Sequence, residues 1–380
     1  MAHIDFRPIL AGSREMDLST AYLGLALRNP LVASPSPMSR TVDGVRRLAD
    51  GGVGAVVLYS LFEEQLRRAA ERDSRLAQAG ADSFGEALSY FPGDVDPAES
   101  DPGPRQYLSL LERSAKALDI PVIGSLNGAT PGGWSRYATA MQNAGAAAIE
   151  LNIYYLPGDP DITGREVEQR HLDVLDSVKR SVTIPVAVKL SPYFSAMGEM
   201  AVRLDRAGAD GLVLFNRFLQ PDIDPGTLRV VPAVRLSDPS EGKLPRTWIS
   251  LLHGRVEASL AATTGVENVD DVVAYLLAGA DVVMTTSALI RHGPDHAGTL
   301  IDGLAAWMRR RGFDSLREIR GLLAAPAAAD RAGSERSSYV SAMRHANTGA
   351  SGAWSDDYPL TRSVRRPPTG EDATHADGSR

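Results

Sequence analysis

Cysteine is absent from the chain, and its absence excludes several kinds of chemistry. The protein can form no disulfide, use no thiolate nucleophile and provide no cysteine ligands for zinc or an iron–sulfur cluster. No apolar run reaches the roughly 18 residues of a membrane span, and no basic stretch followed by an apolar one begins the chain. An excess of positive charge is also missing, since the formal net charge is -7. We therefore expect a cytoplasmic protein without nucleic acid or membrane partners.

One pattern occurs four times: a helix-like stretch ends in a turn of small residues that leads directly into a hydrophobic strand. The four copies are residues 51–59, 144–152, 207–216 and 278–286. Four shorter apolar segments alternate with them, at residues 29–34, 120–125, 184–189 and 258–264. Eight short strands separated by helical patterns predict an α/β protein, specifically a (β/α)8 TIM barrel. This fold places its chemistry at the C-terminal ends of the strands.

Composition divides the chain into three parts. We expect an N-terminal leader and hairpin at residues 1–28, the barrel at 29–323, and a polar, partly disordered C-terminal tail at 324–380. Two stretches interrupt the barrel pattern. Residues 73–106, rich in Gly, Pro, Asp and Ser, are predicted to cover the top of the barrel after strand two. Residues 220–246 are predicted to insert a strand or hairpin after strand six.

Several stretches between the predicted strands repeat apolar residues with the period of a helix. Met197, Met200, Ala201 and Leu204 form one such stripe, and a second begins at Val269 after Asn268. Asn268 suits a helix N-cap, and Asp271 stands where a capping-box acid would stand. We predict that these stripes are helix faces packed on the barrel.

Two turns rich in threonine follow the last two predicted strands. They read Thr263-Thr-Gly-Val266 and Thr285-Thr-Ser-Ala288. In barrels that hold a phosphorylated ligand, the loops after strands seven and eight present backbone N–H groups, and small residues let the main chain approach the phosphate. The hydroxyls of Thr264, Thr286 and Ser287 would add donors. The two turns together predict a phosphate site.

Polar side chains stand at the ends of the middle strands. Lys189 ends the fifth strand within an apolar run, where an unpaired buried charge would be costly. Its ammonium could reach solvent, contact a flavin ring, or form a Schiff base with a carbonyl substrate. Asn127, Asn152 and Asn216 follow strands three, four and six. Each alone suits a turn, but together beside Lys189 they would offer amide donors and acceptors to a planar heterocycle.

The seven histidines show no spacing that is typical of a metal site. His253, His292 and His296 lie near the last predicted strands, and we predict a structural or surface role for them. No metal is therefore expected.

Short motifs spread over residues 29–313 resemble the dihydroorotate dehydrogenase family of FMN-binding barrels. The matching pieces are Asn29-Pro-Leu-Val-Ala-Ser34, Glu150-Leu-Asn152, Val188-Lys-Leu-Ser-Pro-Tyr193, Thr264-Gly-Val266, Ala278-Gly-Ala-Asp281 and Ser287-Ala-Leu289. The resemblance implies an FMN cofactor, oxidation of a CH–CH group in dihydroorotate or a related small cyclic substrate, and a place in pyrimidine biosynthesis.

The same resemblance implies a role for each site residue. The residues that would bind the flavin ring system are Ala33, Ser34, Ser60, Asn127, Asn152 and Lys189. The residues that would hold the FMN phosphate are Thr264, Gly265, Thr286 and Ser287. Asn152 and Asn216 would bind the substrate, with Asn152 between flavin and substrate.

Four departures from the family pattern fall mainly on the substrate side. Tyr155 stands where the family has a Cys or Ser base, and a phenol, with an ordinary pKa near about 10, is a weak base at neutral pH unless its surroundings tune it. Tyr59, followed by Ser60, replaces a lysine at the end of strand two. Arg217 replaces a Ser or Thr after Asn216, and residues 247–254 replace a Gly-rich segment.

These observations support three hypotheses about function. The first is an FMN oxidoreductase of the dihydroorotate dehydrogenase type, in which Tyr155 and Lys189 are the catalytic residues. The second is a non-catalytic flavin-binding subunit of a redox complex, and the third is a lyase that forms a Schiff base through Lys189. Because the chain has no cysteine, flavin reoxidation would need a soluble acceptor or a redox partner protein. The family likeness implies a homodimer.

Overall fold

The computed structural model describes residues 16–68, 71, 103–128, 134–155, 157–217, 221–231 and 235–325. Its strands are β1 Thr20–Tyr22, β2 Leu25–Leu27, β3 Leu31–Ala33, β4 Ala55–Val57, β5 Leu61–Phe62, β6 Val122–Gly128, β7 Ala148–Ile153, β8 Val186–Leu190, β9 Gly211–Leu214, β10 Asp222–Asp224, β11 Arg229–Val231, β12 Ser259–Ala262 and β13 Val282–Thr285. Its helices are Val42–Asp50, 63–68, Pro104–Ala117, Trp134–Asn143, Gly164–Lys179, Met197–Arg206, Lys243–Leu252, Val269–Ala278, Ser287–His292, His296–Arg311 and Leu316–Ile319.

Eight of the strands close a parallel barrel. Their order around the barrel is β3, β4, β6, β7, β8, β9, β12 and β13, and β13 pairs with β3 to complete the ring. The short strand β5 follows β4 and pairs with the end of β6. All eight predicted strands occur in the predicted order, so the prediction of a (β/α)8 barrel is confirmed.

The interior of the barrel is filled by alternate residues of the strands. Small and branched side chains form this core: Val32, Ala55, Val57, Ile123, Ala148, Ala187, Val213, Ala261, Val282 and Met284. The hairpin of β1 and β2 adds Tyr22, Leu23 and Leu27 to the same cluster. Because the Leu23 N–H donates to the hydroxyl of Ser259, the first residue of β12, the hairpin closes the N-terminal end of the barrel. The opposite end is left open for a ligand.

The remaining strand residues face outward and pack against the helices. The predicted stripe on helix Met197–Arg206 is buried at Met197, Met200, Ala201 and Leu204. Helix Val269–Ala278 begins after Asn268, whose side chain accepts from the Asp271 N–H while the Asp271 carboxylate accepts from the Asn268 N–H. The predictions of packed helix faces and of this capping box are therefore confirmed. Among the described helices, none is long and apolar enough to cross a membrane.

Two segments interrupt the alternation of strands and helices. After β9, an antiparallel hairpin of β10 and β11 occupies part of the predicted insertion at residues 220–246. Asp222 and Asp224 belong to β10, and the Asp224 carboxylate accepts from the N–H groups of Gly226 and Thr227 in the turn that follows. Residues 73–102 of the first predicted insertion and residues 326–380 of the predicted tail lie outside the described residues.

Replacing Leu23 with alanine is expected to destabilise the barrel by about 2 to 3 kcal/mol, because a buried leucine leaves a cavity among its neighbours. Leu23 is 3% exposed, and its side chain approaches the backbone of Gly211 in β9. Leu228→Ala is the matched control, since Leu228 also has a positive φ, 53° against 55°, but is 86% exposed. Urea unfolding should show a change within about 0.5 kcal/mol for the control. Equal losses in the two variants would contradict the closing role of the hairpin.

Candidate active site

A cleft of about 270 Å³ opens at the C-terminal ends of the barrel strands. Six of the predicted ligand-binding residues line it: Ser34, Lys189, Asn216, Thr264, Thr286 and Ser287. They come from the ends of β3, β8, β9, β12 and β13, which are consecutive neighbours in the barrel. Both threonine-rich turns therefore face the same cavity as the lysine.

The turn after β12 contains main-chain donors without a hydrogen-bond partner among the described residues. Thr264 has a φ of 80° and Gly265 a φ of 69°, conformations that L side chains rarely adopt. Neither residue's N–H donates a hydrogen bond to another described residue. Tyr275, on the helix that follows, fixes the turn by donating its hydroxyl to the Thr264 carbonyl at 2.6 Å. Free N–H groups on a rigid turn with a glycine are suited to binding a phosphate.

The hydroxyls of Thr264 and Thr286 were expected to donate to a phosphate, but they donate to main-chain carbonyls of the protein. Thr264 donates its hydroxyl to the Phe215 carbonyl at 3.2 Å, and Thr286 donates to the Ser34 carbonyl at 3.0 Å. These bonds tie β12 to β9 and β13 to β3 at the rim of the barrel. These two hydroxyls are therefore already used in hydrogen bonds within the protein.

Residues 235–242, which we call the rim segment, run along the mouth beside the two threonine-rich turns. The Ser237 N–H and hydroxyl both lie within hydrogen-bond distance of the Ser287 hydroxyl, at 3.0 and 2.9 Å. Arg217 reaches the segment from the end of β9, donating to both carboxylate oxygens of Glu241 at 2.9 and 3.1 Å. A Cβ on Gly265 would lie 2.6 Å from the Gly242 nitrogen, so this glycine is required for the contact.

The side chain of Lys189 is nearly buried and reaches the floor of the cleft. Its Nζ lies 3.5 Å from Oε1 of Glu150, which is 1% exposed. Both residues point into the barrel, from the neighbouring strands β8 and β7. The ammonium therefore lies between the open cleft and a carboxylate inside the barrel.

Three asparagines and the lysine occupy adjacent positions around one side of the mouth. Asn127, Asn152 and Lys189 are direct register partners on β6, β7 and β8. The side-chain amide of Asn216 donates to the side-chain oxygen Oδ1 of Asn152 at 3.0 Å. The predicted convergence of amides beside Lys189 is present in the geometry.

The remaining predicted residues lie at other places around the mouth. Ala33 is buried, and its side chain packs in the core between the strands and the helices, so only its main chain could contact a ligand. Ser60 shares a hydrogen bond of 2.9 Å with the Ser125 hydroxyl, on the side of the mouth near β6. Tyr155 follows β7, and the guanidinium of Arg170 stacks over its ring at 4.1 Å. Tyr59 packs edge-on against Tyr107. None of these four lines the cleft.

A second cavity of about 350 Å³ adjoins the first on the side of β8 and β9. The two cavities share Phe215, Asn216, Arg217 and Thr264. Tyr193 and Leu244 add exposed apolar surface to the second cavity. The mouth thus contains two adjoining cavities, and Asn216 lines both of them.

The sequence did not reveal which residues contact the predicted site residues. Glu150 was part of a matched motif, but no role was assigned to it, although a charge two residues before Asn152 lies on the same face of the strand. Residues 247–254 were interpreted as the replacement of a Gly-rich segment at the site, but 247–252 lie within helix Lys243–Leu252. The rim segment occupies the mouth instead. The sequence feature that could have indicated this segment is the capping box formed by Asp238 and Glu241.

The three histidines near the last strands make structural contacts, as predicted. His253 lies 3.2 Å from the Gly279 carbonyl, while His292 and His296 contact the side chain and the carbonyl of Glu267. In the described part of the chain, no group of three or more His, Asp or Glu side chains is arranged to share a metal ion.

Comparison with known proteins agrees with this geometry. A family model described as dihydroorotate dehydrogenase matches residues 100–308. A protein of Aeropyrum pernix named as putative dihydroorotate dehydrogenase A (fumarate) is 27% identical over 313 residues, which cover 80% of this chain and 97% of that protein. The catalytic subunit of dihydroorotate dehydrogenase B (NAD(+)) from Methanothermobacter thermautotrophicus is 27% identical over 323 residues, covering 80% and 98%. NAD-dependent dihydropyrimidine dehydrogenase subunit PreA of Escherichia coli K12 is 24% identical over 320 residues, covering 80% and 76%.

The fold and the cleft define a (β/α)8 barrel protein with a cleft at the C-terminal ends of its strands. With the family match, the chain belongs to the dihydroorotate dehydrogenase family. It is an oxidoreductase that acts on CH–CH groups, in a family of flavin-dependent enzymes.

Proposed function

We propose that the protein binds FMN at the barrel mouth and oxidises dihydroorotate or a related small cyclic substrate by hydride transfer to flavin N5. The observation that supports this most strongly is the single cleft shared by Lys189, Asn216 and the two threonine-rich turns. One set of groups suits a phosphate, and the other suits a planar heterocycle. FMN is a ligand that has both parts.

The FMN phosphate would bind the turns at Thr264–Gly265 and Thr286–Ser287. The free N–H groups of Thr264 and Gly265 support this assignment, because charge-assisted bonds to main-chain donors are among the strong hydrogen bonds in proteins. The flavin ring system would contact Ala33 through its main chain, Ser34, Ser60, Asn127, Asn152 and Lys189. The buried Ser34 hydroxyl has no hydrogen-bond partner among the described residues, which leaves it free to serve a ligand.

The substrate would bind beside the flavin, held by Asn152 and Asn216. The second cavity reaches Asn216 and provides the space for it. Tyr155 would accept or return a proton as hydride equivalents move between substrate and flavin, and Lys189 would orient the pyrimidine side of the ring. Electrons would leave to a soluble acceptor or a redox partner protein, since the chain has no cysteine to hold an iron–sulfur cluster.

We also propose the organisation that the composition suggests. Residues 1–28 would form a leader and hairpin, 29–323 the FMN-binding barrel and 324–380 a separate polar tail, in a cytoplasmic protein that assembles as a homodimer. Sedimentation of the full chain would measure the assembly, and a monomer at micromolar concentration would contradict it.

Visible absorbance of the purified protein, followed by anaerobic addition of dihydroorotate, tests the proposed function. We expect a bound flavin spectrum after incubation with FMN and bleaching of that spectrum by dihydroorotate. A protein that retains no flavin would contradict the cofactor assignment. A bound flavin that dihydroorotate leaves oxidised would contradict the substrate, and related cyclic compounds would then be tested in the same way.

The Schiff-base alternative makes a different prediction about Lys189. Imine formation needs an uncharged amine, whereas the neighbouring Glu150 carboxylate is a partner for a charged one. We therefore expect no borohydride-trapped adduct between Lys189 and carbonyl compounds, measured by mass spectrometry. A stable adduct on Lys189 would favour the lyase over the oxidoreductase.

A further inference from the structure

Glu150 is a carboxylate enclosed in the barrel with few groups to stabilise it. It is 1% exposed, and neither carboxylate oxygen has a hydrogen-bond partner among the described residues. Burial of a carboxylate without partners is strongly unfavourable, so such a group needs a compensating charge. The apolar interior around it could instead have been completed by a valine or leucine, which makes the carboxylate itself the feature to explain.

The surroundings of Glu150 leave Lys189 as its charged partner. On the two adjacent strands, its register partners are Ser125, whose hydroxyl is bonded to Ser60, and Ala187, which has only a methyl group. Below it, burial raises the pKa of Tyr22 well above its ordinary value, and the Glu150 charge raises it further, so this phenol stays neutral. Among the described residues, Lys189 at 3.5 Å is the cation that forms an ion pair with Glu150.

The two members of the pair differ in their access to ligands. Lys189 lines the cleft, whereas Glu150 does not. The ammonium thus lies between the carboxylate and the space that the flavin would occupy. Any negative charge that develops on the flavin competes with Glu150 for the same ammonium, and the carboxylate also repels that charge directly.

We propose that Glu150 is a positioning residue that sets, through Lys189, the relative affinity of the cleft for oxidised and reduced flavin. This inference rests on the proposed FMN site. Two-electron reduction adds negative charge to the flavin ring, so a lysine beneath it favours the reduced form. Glu150 holds the ammonium in place but opposes its field. The ion pair therefore keeps the flavin potential lower than the lysine alone would.

The two neutral substitutions are expected to shift the bound flavin in opposite directions. Glu150→Gln keeps the shape of the side chain and removes its charge, so the ratio of the dissociation constants of oxidised and reduced FMN should rise about tenfold. That ratio corresponds to about 30 mV for a two-electron couple. Lys189→Met should lower the same ratio. Redox titration of the FMN-bound proteins measures both shifts.

Glu168→Gln is the matched control for this titration. Glu168 is also buried and pairs with an arginine, Arg203 at 2.8 Å, but this pair joins two helices outside the barrel. We expect it to change stability and leave the ratio within about twofold of the wild-type value. A merely structural role for Glu150 would lower stability or FMN affinity without moving the ratio, and that result would overturn the inference.

A second measurement does not depend on flavin. In the flavin-free protein, each single substitution leaves one charge without its ion-pair partner. The double variant Glu150→Gln/Lys189→Met removes both charges and leaves none unpaired. The double variant should therefore unfold at a higher urea concentration than Lys189→Met alone. Additive losses would contradict the ion pair. If the wild type binds no FMN, the proposed function fails, but the stability result still decides whether the pair exists.

Discussion

Replacing Tyr155 with phenylalanine is expected to lower the rate of substrate oxidation by about 10² to 10⁴-fold, the usual effect of removing a general acid or base. Tyr155 follows β7 at the position where the family has its Cys or Ser base. Arg170 stacks over the ring at 4.1 Å, and this contact does not need the hydroxyl. Phenylalanine should therefore keep the ring in place and remove only the hydroxyl that we propose transfers the proton. Stopped-flow flavin reduction by saturating substrate measures the effect.

Tyr154→Phe is the matched control, because it removes a phenol from the adjacent position of the same loop. We expect its flavin reduction rate to stay within about threefold of the wild type. Equal rates for Tyr155→Phe and the wild type would show that Tyr155 is not the base. Absence of turnover in the wild type itself, with flavin bound, would instead support a non-catalytic flavin-binding subunit.

Substitution of Gly265 by alanine is expected to weaken FMN binding by about 100-fold or more, because it disturbs the N–H groups assigned to the phosphate. The new Cβ would lie 2.6 Å from the Gly242 nitrogen and 2.9 Å from the Asp238 carbonyl oxygen. Either the turn after β12 or the rim segment must move, and both border the cleft. Loss of two charge-assisted hydrogen bonds, each contributing about 1.5 kcal/mol or more, accounts for the magnitude. Fluorescence titration with FMN measures it.

Gly254→Ala separates this local effect from backbone strain. Gly254 has a φ of 73°, close to the 69° of Gly265, but a Cβ there meets nothing within 4 Å. Both variants should lose about 1 kcal/mol of stability from placing alanine in a left-handed conformation, and Gly265→Ala should lose more because its Cβ also meets the backbone of the rim segment. FMN affinity should fall only for Gly265→Ala. Similar FMN dissociation constants in the two variants would contradict the phosphate assignment.

The barrel could be predicted because each strand is indicated by residues that are close to it in the sequence. Turns such as Ala278-Gly-Ala-Asp281 mark the passage from helix to strand, and Gly279 indeed has a φ of 116° after helix Val269–Ala278. Hydrophobic runs then supply strands that are buried on both faces. Strand order and closure follow from the regular alternation of strands and helices, so no long-range information was needed.

The partners within the site could not be predicted in the same way, because they are set by contacts between distant segments. Asn216 bonds to Asn152 across 64 positions of the chain, and Ser237 bonds to Ser287 across 50. Glu150 stood next to matched residues, yet its pairing with Lys189 depends on the side-chain direction in two neighbouring strands. The family motifs indicate which residues lie at the site, whereas the hydrogen bonds and ion pairs between them depend on the three-dimensional fold.

A crystal structure of the protein soaked with FMN tests the central claim most directly, which is that one mouth binds the phosphate at one side and the flavin ring at the other. We predict the phosphate against the main chain of Thr264–Gly265 and Thr286–Ser287, with the ring system over Lys189. Density for FMN at another place, or a phosphate turned away from both threonine-rich turns, would contradict the account.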